Sequence, residues 1–220
     1  MTQLQQEQQI SVFGSPGADE AVEDLRAKLA NGTRFMLGIV GAPGSGKSTL
    51  AARLRDFAAP DASVVVPMDG FHLANSIIDG TPLKNRKGAI DTFDGGGYLS
   101  LLRRIKEQQE KIVFAPDFRR DIDEPIAASI AVHASMQLVI TEGNYLLADS
   151  GPWKEVRTLL DEIWFVESPP ELRVSRLVER HMAFGMDRTA AEAWTLGPDQ
   201  ANAGMIESTR NRADRIIRWA

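Results

Sequence analysis

The chain of 220 residues contains no cysteine. That excludes a disulfide framework, thiolate metal sites and a cysteine nucleophile, and it fits a reducing compartment. Histidine is also scarce, at three residues, and no His, Asp and Glu cluster has the spacing of a metal site built from protein alone. Excess basic charge is missing too. A formal net charge of −5 speaks against a protein whose main partner is nucleic acid, although a local basic pocket is compatible with it. No apolar run approaches the ~20 residues needed to span a bilayer, so no membrane association is expected. The opening "MTQLQQEQQI" has neither a basic nor an apolar stretch of the kind a secretory signal needs. A cytoplasmic protein is the expectation, and the Asn31-Gly32-Thr33 sequon then carries no meaning.

What is present is ordinary for a soluble globular chain: 43% apolar and 25% charged residues. The length suits one α/β domain, able to bury roughly 70–75% of its unfolded surface. Residues 1–17, Gln-rich and then broken by Gly14-Ser15-Pro16-Gly17, read as a mobile arm ahead of a single domain over 18–220. Short apolar runs at 34–40, 63–68, 137–141 and 162–166, with a weaker one at 214–219, alternate with helical stretches. These lie at about 18–32, 47–58, 96–110, 151–160, 170–183 and 188–210. Such alternation predicts a mostly parallel five-stranded sheet with helices on both faces, a three-layer α/β/α architecture. "KIVFAPDF" and "EPIAASIAVHA" predict an antiparallel hairpin inserted over 112–134. His133 lies in its second strand and reads as a packed histidine.

Gly41-Ala42-Pro43-Gly44-Ser45-Gly46-Lys47-Ser48 matches G-x-x-x-x-G-K-[ST], with an apolar strand before it and a helix after it. Glycines let backbone N–H groups turn inward around a phosphate, and the helix adds its positive end. Lys47 can reach β- and γ-phosphates, and Ser48 can ligate Mg²⁺; Thr49 follows on the first helical turn. This predicts a nucleotide site for ATP with Mg²⁺. In such sheets the loops after the strands converge on the ligand. Two of them supply carboxylates: Asp69 in "MDGFHLAN" and Glu142 in "ITEGNYLL". One can orient an acceptor hydroxyl and take its proton, and the other can hold the metal or its waters.

From about Arg34 to Trp219 the chain resembles the uridine kinase, phosphoribulokinase and pantothenate kinase family of P-loop kinases. The likeness rests on "GAPGSGKST", "PMDGFH", "RKGAIDTFD" (86–94), "TEGNYLL" and "RVSRLVERH" (173–181). It implies a parallel five-stranded sheet between helices, a hairpin near the acceptor and an arginine-bearing lid, here over 170–210. It also implies Asp69 as base and Glu142 as the carboxylate at the end of the third strand. "RKGAIDTFD" is more similar to pantothenate kinases than to uridine kinases, with Ile90 where a proline is usual. The chain is similar to a bacterial branch described as nucleoside/nucleotide kinase-like or as kinases of fructose transport systems.

Arg173, Arg176 and Arg180 fall at i, i+3 and i+7 and share a helical face. Arg176 and Arg180 are the expected phosphate clamp, with Asp187 capping the helix beyond a glycine hinge. Candidate acceptor contacts are His72, Arg86, Lys87, Asp94, Phe118, Arg119 and Tyr145. The expected activity is transfer of a γ-phosphoryl group to a hydroxyl of a nucleoside, pantothenate-like or sugar acceptor. The resemblance also admits a homodimer. Two rivals remain open at this level. Asp94-Gly95-Gly96-Gly97 fits the D-x-x-G of a GTPase switch, and Asn211-Arg212-Ala213-Asp214 is similar to a guanine-recognition motif. A regulator that binds ATP without phosphorylating anything is the other.

Overall fold

The computed structural model describes residues 10–12 and 16–218. Its main sheet has six strands, all parallel, in the spatial order β1-β8-β7-β2-β6-β3. These strands are β1 (Ile10–Val12), β2 (Phe35–Val40), β3 (Ser63–Pro67), β6 (Leu138–Gly143), β7 (Glu162–Glu167) and β8 (Arg215–Arg218). The helices are α1 (Pro16–Leu29), α2 (Lys47–Ala58), α3 (Asn75–Ile78), α4 (Gly95–Glu107), α5 (Trp153–Leu159), α6 (Pro170–Ala183), α7 (Arg188–Trp194) and α8 (Gln200–Glu207). The antiparallel hairpin β4 (Ile112–Arg119) and β5 (Glu124–His133) forms its own two-stranded sheet.

The expected five strands are present, and a sixth joins them. Ile10–Val12, assigned from sequence to the arm, pairs with Ile216–Arg218 at the sheet edge. Residues 1–9 and 13–15 lie outside the described residues. The expected helix over 188–210 is interrupted. A π-helical stretch at Thr195–Asp199, which contains Pro198, separates α7 from α8.

Strand alternation builds the two faces of the core. Leu37, Ile39, Leu138, Ile140, Trp164, Val166 and Ile217 pack with Leu25 of α1 and with Leu50 and Leu54 of α2. The intervening residues Met36, Val40, Val139, Ile163, Phe165 and Ile216 pack with Tyr98 and Leu102 of α4 and Val156 of α5. Each such fully buried aliphatic side chain stabilises by roughly 1.5–3 kcal/mol relative to exposure. Both sheet faces are covered, which is why the strands read as continuous apolar runs.

The strand order fixes where a ligand can lie. β2 sits between β6 and β7, so the loop leaving β2 is flanked by the ends of β6 and β3 on one side and of β7 and β8 on the other. Arg34, just before β2, holds the hairpin to this frame. Its guanidinium donates to the carbonyls of Met136 (2.9 Å), Ile105 (2.5 Å), His133 (2.8 Å) and Ala134 (3.1 Å). His133 itself is exposed rather than packed, because alternation along β5 turns Val132 inward and its neighbour outward.

Candidate active site

Residues 41–46 run from the end of β2 to the start of α2. Gly44 has φ +77°, and a Cβ there would stand 2.7 Å from the carbonyl oxygen of Arg173. Both features demand glycine. Helix α6 therefore lies directly against the loop, and the Arg173 guanidinium completes the contact. It donates to the Pro43 carbonyl and to Glu207, 3.1 Å each. Gly46, at φ 95°, precedes the first turn of α2, on which Ser48 and Thr49 are exposed.

Lys47 is buried, and its ammonium donates to the Ala42 carbonyl at 3.2 Å. Burial pulls its pKa down to about 8, against the attraction of Glu142 and Asp69. Glu142, at the end of β6, is also buried and accepts a 2.8 Å hydrogen bond from the Ser48 hydroxyl. Asp69 follows β3 in a tight turn, Met68–Phe71, and accepts a 2.9 Å bond from Arg120. The two carboxylates are pushed in opposite directions. Burial would raise Asp69, but His72, Arg120 and Lys47 together outweigh it and hold it below the usual aspartate range. Burial and the charge of Asp69 push Glu142 up. One carboxylate is held ionised, and the other favours a cation beside it.

These groups line a cleft of about 540 Å³ over the ends of β6 and β3. Its far wall is aromatic. The His72 ring lies between Phe93 (4.0 Å between centroids) and Phe118 (4.6 Å), and its Nδ1–H donates to the Asp69 carbonyl at 2.8 Å. Lys87 sits over Phe118 at 5.4 Å and is tied to Asp123 (2.7 Å) and to the Asn75 side chain (2.9 Å). That anchors the 84–88 segment to the hairpin turn. Arg180 lines the cleft from the last turn of α6, and its guanidinium makes no hydrogen bond or ion pair to other described residues.

Several expected contacts are not brought to this cleft. Arg119 points away and pairs with exposed Asp121 at 2.6 Å, whereas its neighbour Arg120 faces in. Arg86 pairs with Asp91 on the surface. Asp94 caps α4, accepting from the Gly97 amide at 2.8 Å. Tyr145 is buried behind the wall, and its hydroxyl donates to the Gly88 carbonyl at 2.6 Å. Arg176 does not line the cleft, and Arg173 is spent on the loop and Glu207. Asp214 of the guanine-like motif accepts from the Ile163 amide and from Arg157, a structural tie between strands.

The site also contains residues beyond the candidate contacts above. Arg120, which follows Phe118 and Arg119 at the hairpin tip and could offer a cation there, is the foremost. His181 and Asp199 form a 2.8 Å pair on the α6–α8 side of the cleft, beside Trp194 and Asn202. Asp199 is placed there by the π-helical turn, a backbone feature without a sequence motif. A second cavity, about 590 Å³, opens over the ends of β7 and β8. It is lined by Ala42, Pro169, Pro170, Arg173, Arg210 and Arg218 among others.

No family model matches the chain. A Schizosaccharomyces pombe protein provisionally named uridine kinase C227.14 is 34% identical over 209 residues, covering 90% of this chain and 89% of that protein. The ATP-dependent kinase-like protein notR' of Aspergillus versicolor is 36% identical over 159 residues, covering 68% and 92%. A crystal structure from Silicibacter sp. TM1040, provisionally described as a fructose transport system kinase, superposes with a TM-score of 0.77 at 36% identity. It covers 89% of this chain and 98% of that one.

Proposed function

Because the chain belongs to the uridine kinase-type family of P-loop kinases, we propose that it transfers the γ-phosphoryl group of ATP to a hydroxyl of a small metabolite. One observation carries the reading. Asp69, held ionised, stands across the cleft from Lys47, with an aromatic-walled space beyond it for an acceptor.

The 41–46 backbone, Lys47 and the start of α2 would hold the phosphates. Ser48 and Glu142, hard oxygen donors in contact at 2.8 Å, would hold Mg²⁺. The ion would supply neutralisation of the phosphate charge. With the γ end directed toward Asp69, the nucleoside end falls on the opposite side of β2. There the second cavity offers apolar walls and a buried Arg173 Nε without a partner. In the transfer, the acceptor oxygen bonds to the γ-phosphorus as the bond to the bridging oxygen breaks and that electron pair leaves with ADP. Asp69 receives the acceptor's proton as this happens, since a free alkoxide is too costly to form in advance. Phe118, His72 and Lys87 shape the acceptor side.

The test is ADP release from Mg-ATP against a panel of pyrimidine and purine nucleosides, pantothenate, hexoses and pentoses, with a no-acceptor control. The proposal predicts stimulation by one class. It also predicts that Asp69→Asn lowers that rate on the order of 10²–10⁴-fold with ATP binding intact. Full turnover in Asp69→Asn removes the base and with it this mechanism.

A further inference from the structure

We propose that Arg120 is a catalytic residue that closes on the transferred phosphoryl group from the acceptor side. The proposal rests on the kinase reading above and adds a group to it. Three cations reach the space between the P-loop and the acceptor wall from three separate elements. Lys47 comes from α2, Arg180 from α6, and Arg120 from the turn joining β4 to β5. Facing them are Asp69 and Glu142, and the Asp199 carboxylate nearby is already held by His181 at 2.8 Å. The charges balance in number, yet the Arg180 guanidinium forms no hydrogen bond or ion pair with any of these carboxylates among the described residues. A desolvated guanidinium without a partner is costly, and Arg180 is one. Arg120 adds to that cost by repulsion, while Asp199, Asp69 and Glu142 offset it without contact. Two arginines that line one cleft, one of them unpaired and the other bound by a single contact, suit an anion between them.

Arg120 is available for that anion. Of its five N–H donors one is used, from Nη2 to Asp69 Oδ2 at 2.9 Å. The guanidinium lies 5.9 Å from the Phe118 ring centroid, and the side chain is 40% exposed, toward the cleft. The contact with Asp69 gives the residue its timing. As the acceptor oxygen bonds to phosphorus and the bridging oxygen leaves with ADP, the acceptor proton passes to Asp69. The Asp69 charge then vanishes, and Arg120 loses its anion as the phosphoryl group arrives beside it. Its interaction with the substrate is therefore stronger in the transition state than before it, which is what accelerates a step. Arg119, engaged with Asp121 on the other side of the ribbon, has no such access.

The experiment compares wild type, Arg120→Ala, Arg120→Lys and Arg119→Ala. The affinity of Mg-ADP is measured by calorimetry with and without aluminium fluoride, a mimic of the phosphoryl group in transit. Melting curves check that each variant is folded. The proposal predicts that aluminium fluoride tightens ADP binding in wild type. Arg120→Ala should lose at least tenfold of that gain with ADP affinity unchanged within about twofold. Arg120→Lys should recover part of it, and Arg119→Ala should behave as wild type. An undiminished gain in Arg120→Ala overturns the proposal. So does a defect confined to the KM of an anionic acceptor, which would make Arg120 an acceptor-recognition residue. If wild type shows neither the gain nor acceptor-stimulated ADP release, the kinase reading itself falls, an outcome distinct from failure of Arg120 alone.

Discussion

Replacing Gly70 by alanine isolates the distance between Asp69, the proposed base, and the hairpin. Gly70 follows Asp69 in the turn after β3, and the backbone of β4 passes directly over it. A Cβ at Gly70 would stand 2.5 Å from the Pro116 carbonyl oxygen and 2.7 Å from its carbon. Ordinary contact begins at 3.4 Å, so the approach is short by about 0.9 Å. The atoms it meets belong to backbone, so rotation of a side chain cannot relieve the clash. Either the turn that carries Asp69 or the strand that leads to Phe118 and Arg120 must move by that amount. A displacement near 1 Å between reacting groups costs on the order of 10²-fold in rate. Gly70→Ala is therefore expected to lower acceptor-stimulated ADP release about 100-fold. Nucleotide affinity should stay within about twofold, because the 41–48 loop is not touched. The assay pairs steady-state ADP release with calorimetric titration of Mg-ADP. Turnover within threefold of wild type would refute the reasoning, since the hairpin would then be free to shift without consequence for the base.

Other consequences follow from the same geometry. Lys47→Ala should weaken both ATP binding and turnover, read by titration and ADP release; normal ATP binding would contradict the assignment of the loop. Arg34→Met removes a charged donor from four carbonyls and should cost about 2–3 kcal/mol, a fall in melting temperature of roughly 5–10 °C for a chain of this size. An unchanged melting temperature would show that the hairpin needs no such anchor. The pH dependence has a definite sign. Asp69 must be ionised to accept a proton, and the surrounding cations hold its carboxyl below the ordinary value. The Asp69 carboxyl, followed by carbon-13 NMR, should thus stay ionised as pH falls through the usual aspartate range and take its proton only below it, wherever circular dichroism shows the protein folded. Protonation of Asp69 above the ordinary aspartate value would contradict that direction.

The proposed phosphate end of the site was readable as a cluster because its residues are local in sequence. Gly41 to Ser48 lie on one strand–turn–helix unit, and Asp69 and Glu142 sit at strand ends, so topology alone brings them together. The proposed acceptor end is built by long-range geometry. Arg119 and Arg120 are indistinguishable by alternation, because the register of β4 and β5 shifts between Ala115 and Asp117 and resets which residues face in. The spacing of Arg173, Arg176 and Arg180 gives a shared face but not its target. Arg173 is drawn beneath the loop, and only the last of the three reaches the cleft. Tyr145 and Asp94 follow polar-residue logic correctly but satisfy backbone groups instead of a ligand. Ile10–Val12 joins the sheet edge with only three residues, too short a run for hydrophobic periodicity to mark.

The central claim is transfer of a phosphoryl group to an acceptor hydroxyl with Asp69 as base. It is tested most directly by following the group itself. The protein is incubated with a small-metabolite extract and Mg-ATP carrying heavy oxygen in its γ-phosphoryl group, and products are resolved by mass spectrometry. The account predicts a labelled phosphate monoester on one hydroxyl-bearing metabolite, formed by the wild-type protein and reduced at least 100-fold with Asp69→Asn. Label found only in inorganic phosphate, or an ester formed equally by both proteins, would contradict it.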